Sequence, residues 1–252
     1  MNIKIEQEVQ AQFQDSQSIP DTGKEPGQAL RPALYVLATP IGNLADFTYR
    51  AVEILKQVEC VVCEDTRRTI KLLNHYGIRK PMRTLFGPKE KRETPHIIEI
   101  LKQSKSVALV TDAGTPGISD PGNYLVRQAR ENGIRVEAAP GASAVGCAVS
   151  VSGLCEKGFT FIGFLHRRSS RLKAELSAVK SLGLPVVFFE SPYRIARTLT
   201  LAADAMGPDC ECWVGRELTK RFEEHYFGKL GELTAKLSSI KPLGEFTVVV
   251  AP

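Results

Sequence analysis

VALVTDAGTPGISDPG, residues 107–122, is the stretch that decides the fold class. Its apolar beginning predicts a short buried β-strand, and Pro116 and Pro121 stiffen the polar loop that follows while its glycines allow it to turn. A simple connection between a strand and a helix would need fewer such residues. Because loops at the carboxyl ends of strands hold the ligands of open α/β sheets, we expect a ligand-binding loop here.

Apolar runs and amphipathic stretches alternate on both sides of this loop. Strands are predicted at residues 34–38, 58–63, 82–86, 106–111, 135–139, 159–165, 185–190, 211–216 and 246–251. Helices are predicted at residues 67–75, 97–102, 124–131, 142–152, 170–181, 194–206 and 230–237. Asp46 is expected to cap one further helix, whose apolar positions run from Phe47 to Val58. The series up to residue 139 indicates an α/β fold with a mostly parallel sheet covered by helices.

Three regions follow from this pattern. Residues 1–32 are rich in glutamine, lack a sustained apolar period and predict a mobile tail without the apolar core of a secretory signal. Residues 33–155 and 156–252 predict two α/β domains, with the boundary near 154–158, and each is large enough to own a core.

Composition excludes a disordered or membrane class and slightly favours a polyanionic partner. Residues 33–252 hold 30 basic and 23 acidic residues, a surplus that is weak evidence for nucleic acid. The six cysteines are expected to be small apolar residues, and we expect no metal, because Cys60 and Cys63 would lie on opposite faces of one strand. No GxGxxG motif of dinucleotide-binding folds follows the first predicted strand, and the phosphate-binding motif GxxxxGK(S/T) does not occur in the sequence.

Several blocks of sequence carry a resemblance to a known family. In order they are LATPIGNL (37–44), CEDTR with KLLNH (63–75), DAGTP with ISDPG (112–122), PGASA (140–144), ESP with Arg194, and RELTK (216–220). Together they resemble the small-subunit ribosomal RNA methyltransferase I family of the tetrapyrrole methylase superfamily, over about residues 33–252. The loops of residues 39–44, 110–122 and 140–144 also share one chemistry, since Gly42, Gly114 and Gly141 would let backbone approach a ligand.

The resemblance implies two α/β domains of the tetrapyrrole methylase type with the cofactor cleft between them, in a homodimer. It implies an S-adenosylmethionine-dependent enzyme, with S-adenosylhomocysteine as product, that methylates the 2′-oxygen of a cytidine ribose in the decoding region of 16S ribosomal RNA. The resemblance also implies that the substrate is ribosomal RNA or the assembled small subunit, that the enzyme works in the cytoplasm, and that no membrane is involved. The implied cofactor contacts are Pro40, Ile41, Gly42, Asp112, Gly114, Ile118, Ser119, Ala142, Ser143 and Leu218.

The catalytic hypothesis concerns three residues that close the cleft from the second domain. Glu190 or Glu217 would accept the proton of the ribose hydroxyl, and Lys220 would orient or polarise it, with a lowered pKa if desolvated. The alternative is an ion-pair network of Arg216, Glu217 and Lys220 that fastens the domains together. Asp112 similarly contacts either the cofactor or loop N–H groups.

Basic residues are the candidates for phosphate contacts. They are Arg67, Arg68, Arg167, Arg168, Arg171, Arg194 and Arg216. A solvated loop is the alternative for the stretch around Arg167, and Asp65 or Thr66 is expected to cap the helix that carries Arg67.

One segment and two rival functions stay open. Residues 85–93 depart from the family pattern, so any RNA contacts made there differ. A tetrapyrrole C-methylase would need a flat apolar cavity instead of a basic rim. A ribosome-assembly factor would bind RNA without needing the cofactor loops.

Overall fold

The computed structural model describes residues 29–238 and 243–252, apart from the side chain of Pro88. Residues 31–252 form one compact unit. Most of the predicted tail, residues 1–28, lies outside the described residues. The predicted boundary at residues 154–158 stays a prediction, although the strands before and after it belong to different sheets.

The first sheet is parallel throughout and has five strands in the order β3-β2-β4-β1-β5. These are β1 (Leu34–Leu37), β2 (Cys60–Cys63), β3 (Met82–Thr84), β4 (Val107–Leu109) and β5 (Val136–Ala139). Four helices alternate with them: α1 (Tyr49–Gln57), α2 (Thr66–His75), α3 (Glu90–Lys102) and α4 (Asn123–Glu131). The central strands β2 and β4 are entirely buried, as expected for a parallel sheet between helices. All five carboxyl ends therefore meet along one edge.

The second sheet is mixed, with the order β6-β7-β10-β8-β9. Its strands are β6 (Thr160–Phe164), β7 (Val186–Glu190), β8 (Glu211–Arg216), β9 (Glu224–Lys229) and β10 (Phe246–Ala251). Strands β6 and β7 are parallel, and the other pairs are antiparallel.

Helices cover the second sheet on both faces. One face packs against α6 (Ser169–Lys180), α7 (Ile195–Met206) and α8 (Leu230–Ser238). The other face packs against α5 (Ala144–Ser152), whose Val145 and Ala148 lie against Val187 and Val249. Helix α5 directly follows the last strand of the first sheet, so it carries the chain from one sheet onto the other.

The predicted α/β fold and its elements are confirmed, with three corrections at the level of elements. Thr48, not Asp46, caps α1, since its hydroxyl accepts a hydrogen bond from Ala51 N at 3.2 Å. Asp46 ends a short 3₁₀ helix (Leu44–Asp46) instead. Helix α3 begins at Glu90, well before the predicted start at residue 97, and the edge strand β9 was not predicted. Asp65 caps α2 as expected, by accepting from Arg67 N at 2.8 Å.

Two further properties concern the described ranges alone. Within them, no helix is both long enough and apolar enough to cross a bilayer. Within the same ranges, no group of three or more histidine, cysteine or acidic side chains is arranged to hold a metal ion.

Candidate functional site

A cavity of about 520 Å³ lies where the carboxyl ends of the first sheet face the second sheet. This volume is in the range of small-molecule and cofactor sites. The first sheet contributes the segments that follow β1, β2, β4 and β5, and the second contributes the ends of β6 and β7 and the start of β10. The lining residues are Ile41, Glu64, Arg68, Asp112, Ala113, Gly114, Thr115, Ile118, Ser119, Asp120, Ser143, Ala144, Phe164, Phe189, Glu190, Ser191, Pro192, Glu245, Phe246 and Thr247.

Most of the sequence-predicted cofactor residues are brought together there. Ile41, Asp112, Gly114, Ile118, Ser119 and Ser143 line the cavity. Pro40, Gly42, Ala142 and Leu218 lie outside its lining. The Ala142 carbonyl accepts from Thr115 Oγ1 at 3.3 Å, and Leu218 is buried in the cluster of α5 and the second sheet. These two residues therefore support the wall of the cavity from behind.

The loops after β1 and β4 are fastened to each other by backbone. Thr39 N donates to the Gly114 carbonyl at 2.8 Å, and Gly114 N donates back to the Thr39 carbonyl at 3.0 Å. The buried Thr39 hydroxyl also donates to the Thr111 carbonyl at 3.1 Å. Gly114 has a φ of +84°, which favours glycine. The two loops thus form one unit, and both contribute residues to the cavity lining.

The prediction that Gly42 and Gly141 let backbone approach a ligand stays a prediction, and in the structure both glycines serve close packing within the chain. A Cβ on Gly42 would overlap Lys220 Cγ and lie 2.7 Å from Thr219 Oγ1, and a Cβ on Gly141 would lie 3.1 Å from Ala38 Cβ. Protein atoms occupy both positions. These glycines allow side chains to pack closely against the backbone, and Gly42 brings the loop after β1 onto the RELTK turn of the second half.

The segments that follow the first sheet's strands bring three carboxyl groups to the cavity: Glu64, Asp112 and Asp120. Burial raises the pKa of all three, and the charge of Asp112 raises the pKa of Glu64 and Asp120 further. Asp112 also accepts from Asp65 N at 3.2 Å and pairs with Arg68 Nε at 3.4 Å. It therefore accepts from a loop N–H, one of the two roles that the sequence left open, and it also lines the cavity, while its predicted cofactor contact stays a prediction. A site of this kind favours a cationic ligand.

Glu190 ends β7 and is only 2% exposed. Its carboxylate accepts from Thr198 Oγ1 at 2.6 Å and from Ser191 N at 2.7 Å, and it pairs with Arg194 Nη2 at 3.2 Å. Arg194 also donates to the Leu165 carbonyl at 3.0 Å. Glu190 lines the cavity, yet three donors already engage its oxygens. This geometry suits a residue that positions the chain better than one that takes up a proton.

The RELTK turn holds an ion-pair network next to the cavity. Lys220 Nζ lies 2.8 Å from Glu217 Oε1 and 2.9 Å from Glu245 Oε2. Burial opposes the charge of both Lys220 and Glu217, but their hydrogen bonds outweigh it, so the pKa of Lys220 is raised and that of Glu217 is lowered. The lowered lysine pKa proposed from the sequence is therefore wrong. Glu217 and Thr219 have φ values of +53° and +65°, and such strain in non-glycine residues is frequent at functional sites.

The predicted RNA-contacting arginines fall into two groups. Arg194 and Arg216 are used within the chain, since Arg216 pairs with Glu224 at 2.7 Å and donates to the Leu243 carbonyl at 2.9 Å. The others are more exposed, although Arg67 pairs with Asp65 and Arg68 with Asp112. Arg167 and Arg168 are exposed in the turn after β6, and Arg171 lies 3.2 Å from His166 Nε2.

The segment that departs from the family pattern has a structural task. Glu90, in the first turn of α3, accepts from Gly122 N at 3.1 Å and from Tyr124 N at 3.2 Å. It thereby caps helix α4 from outside and fixes the end of the loop of residues 112–122. The quoted motif and the divergent segment hold each other in place.

Sequence reasoning missed several lining residues. Asp120 stands in the quoted loop and Glu64 in the CEDTR block, but neither is among the residues predicted for the site. Glu245 and Phe246 carry no motif signal, because only the antiparallel pairing of β10 with β7 and β8 brings them to the cavity. Phe164 and Phe189 look like ordinary apolar strand residues in the sequence.

Similar proteins are found over most of the chain. The family model described as Tetrapyrrole (Corrin/Porphyrin) Methylases matches residues 33–234. A Mesorhizobium japonicum protein named Ribosomal RNA small subunit methyltransferase I is 43% identical over 228 residues, which cover 90% of this chain and 78% of that protein. A Thermotoga maritima protein of the same name is 43% identical over 218 residues, 86% of this chain and 97% of that one.

A solved structure shares the fold at low sequence identity. It is uroporphyrin-III C-methyltransferase from Thermus thermophilus complexed with S-adenosylhomocysteine, with a TM-score of 0.61 and 15% identity, covering 86% of this chain and 96% of that chain. Identity at this level supports the architecture alone.

Proposed function

Because the chain belongs to the tetrapyrrole methylase family and to its ribosomal RNA small subunit methyltransferase I group, we propose that it methylates small-subunit ribosomal RNA with S-adenosylmethionine. The acceptor is the 2′-oxygen of a cytidine ribose in the decoding region of 16S RNA, and S-adenosylhomocysteine is the product. The relatives' shared name supports the substrate class, and the cavity supports the cofactor.

The residues of the cavity fit this cofactor in charge, size and lining. S-adenosylmethionine carries positive charge on its sulfur and its amino group, and Glu64, Asp112 and Asp120 supply negative charge in one place. Ile41, Gly114 and the loop backbone offer main-chain groups and small apolar contacts. The proposal rests on one observation: the three carboxyl groups and the two hydrogen-bonded loops line the same cavity.

The chain's own groups divide the work of methyl transfer. When bound, S-adenosylmethionine supplies an electrophilic methyl group that an oxygen can attack in line. In this proposal Lys220, which Glu217 and Glu245 hold protonated, polarises the ribose hydroxyl from beside the cavity, and the hydroxyl proton passes to solvent as the new O–CH₃ bond forms. Glu217 has a low pKa, so its part is to hold Lys220. Glu190 keeps Ser191 and Pro192 at the cavity wall.

The RNA partner is supported by the basic surplus and the exposed arginines. Arg67, Arg167, Arg168 and Arg171 are the candidates for phosphate contacts, and their contribution would weaken as salt rises. Because its proposed substrate is ribosomal RNA, we propose that the enzyme acts in the cytoplasm. The homodimer implied by the resemblance stays a prediction.

The proposal is tested by methyl transfer from labelled cofactor to small-subunit particles and to purified ribosomal RNA from cells that lack the enzyme. We expect label in 2′-O-methylcytidine after nucleoside analysis, and the ratio between the two substrates identifies the preferred form. A K220M variant should bind cofactor in calorimetry but transfer at a much lower rate.

Two results would contradict the proposal. Cofactor binding without any label in RNA would point to a tetrapyrrole or another small acceptor. RNA binding without cofactor binding would point to an assembly factor.

A further inference from the structure

An aromatic side chain stands exposed at the rim of the cavity. Phe164, the last residue of β6, is 59% exposed and lines the cavity. Its ring meets that of Phe189 at a centroid distance of 5.6 Å and a tilt of 61°, and Phe189 meets Phe161 in the same manner at 5.1 Å. Edge-to-face contacts of this kind leave one face of the outermost ring open. Phe164 is thus a braced aromatic surface beside the site.

A β-bulge aims this ring at the cavity. Phe161 pairs with Val187 and Phe164 pairs with Phe189, so β6 has one residue more than β7 between these pairs. The extra residue brings Phe164 to the sheet face that Phe161 occupies, where a regular strand would turn it away. Gly163 provides the φ of +65° within the bulge. A Cβ on Gly163 would lie 2.7 Å from Ser119 Oγ, so the bulge also abuts the ligand loop of the first half.

Positive charge follows the exposed ring directly. Arg167 and Arg168, both exposed, come three and four residues after Phe164. Arg194 fixes the start of this turn by donating to the Leu165 and His166 carbonyls at 3.0 and 3.4 Å. An aromatic face next to cations is the combination that binds single-stranded nucleic acid, because bases stack on the ring and phosphates meet the charges.

Resting on the proposed function, we propose that Phe164 stacks on the base of the nucleotide to be methylated, while Arg167 and Arg168 contact the flanking phosphates. The enzyme then takes its substrate as an unstacked nucleotide of a single-stranded or opened segment. The ribose enters the cavity, and its base stays on the ring at the rim.

The test compares three substitutions of Phe164 with a matched control. F164A removes the ring, F164L keeps an apolar side chain without a π face, and F164W keeps the stacking surface. F227A is the control, because Phe227 on β9 is 60% exposed and is not part of the cavity lining. Each variant is measured for cofactor binding by calorimetry, for thermal unfolding, and for the KM and kcat of methyl transfer to a short RNA or to particles.

We expect cofactor affinity and unfolding temperature to change much less than RNA binding in the three Phe164 variants, and all of these quantities to stay unchanged in F227A. F164A should raise KM or the RNA dissociation constant about 5- to 150-fold, F164L should fall close to F164A, and F164W should restore binding. With pyrrolo-cytidine at the target position, the fluorescence of the bound RNA should differ between wild type and F164A.

Different contrary results would overturn the stacking inference and the proposed function. If the wild type transfers methyl groups and F164A behaves like F227A, the stacking inference is overturned and the proposed function stands. If F164L matches the wild type, the ring is an apolar contact and stacking is overturned. If the wild type binds cofactor but labels no RNA, the proposed function fails and the stacking inference fails with it.

Discussion

Glu190 is the residue for which the sequence and the structure lead to different experiments. The sequence suggests a proton acceptor, whereas the structure shows a buried carboxylate that already accepts from Thr198 and Ser191 and pairs with Arg194. In E190Q, the amide oxygen can still serve Ser191 N, and the Thr198 hydroxyl can rotate to donate elsewhere. The amide NH₂ group then faces the Arg194 guanidinium, so the charged contact is lost.

The size of the effect follows from this loss. A hydrogen bond to a charged group contributes about 1.5–3 kcal/mol, and Arg194 keeps its two carbonyl partners, so we expect E190Q to lower the free energy of unfolding by about 2–3 kcal/mol. For a chain of this length that shift corresponds to roughly 4–12 °C in the unfolding temperature. E190A, which leaves all three donors without the carboxylate, should cost about 3–5 kcal/mol.

The assay measures stability and turnover on the same preparations. Thermal unfolding by calorimetry gives the first, and methyl transfer per folded molecule at saturating substrates, well below the unfolding temperature, gives the second. T198V is the matched control, because it removes the 2.6 Å bond to Glu190 without touching the cavity lining. In the double variant E190Q/T198V, the loss in free energy of unfolding should be smaller than the sum of the two single losses, because the two residues are in contact.

A general base would behave in the opposite way. Its loss would lower the rate about 10²- to 10⁴-fold and leave unfolding unchanged. Wild-type stability of E190Q together with such a rate loss would refute the positioning role.

Three further predictions concern the loops and the carboxyl cluster. G42A should lower stability by about 1–3 kcal/mol through overlap with Lys220, whereas G146A in α5, where a Cβ meets only ordinary contacts at 3.7 Å, should be neutral or stabilising; equal unfolding temperatures would contradict this. E90A should lower the free energy of unfolding by about 1–2 kcal/mol and speed amide hydrogen exchange in residues 112–124. The control E99A, which removes only a surface ion pair with Lys102, should do neither. Unchanged amide protection in E90A would contradict the capping role of Glu90. The raised pKa of Asp120 means that its ionisation costs stability as pH rises above the ordinary carboxyl range near 4. D120N should therefore unfold at a higher temperature than wild type at pH 8 but bind the cationic cofactor more weakly in calorimetry. Because the pKa values of the cluster are raised, the wild type's cofactor affinity should begin to fall at a pH above that range as pH is lowered; a pH-independent affinity would remove the cluster from the binding site.

Much of the first sheet could be predicted from local patterns in the sequence. The parallel first sheet could be predicted because each of its strands is a short apolar run followed by a loop and an amphipathic helix, which is local information. The cap at Asp65 is local in the same way. Strand β9 was missed because Glu224–Lys229 lies at the sheet edge with mostly exposed side chains, so no buried period marks it.

By itself, the sequence determined the α/β class, the positive φ angles of the glycines in the loop of residues 110–122, and the family, because these depend on residues close together in the chain. Only the tertiary structure decided which side chains share the cavity and what they do there. Glu245 is brought there by strand pairing, Gly42 is a glycine because Lys220 lies against it, and Phe164 faces the cavity because a bulge changes the register of β6. The charge state of Lys220 likewise follows from carboxylates at residues 217 and 245, which the fold places within 3 Å of its nitrogen. Hydrogen bonding and burial between distant segments set these properties, and no local pattern in the sequence encodes them.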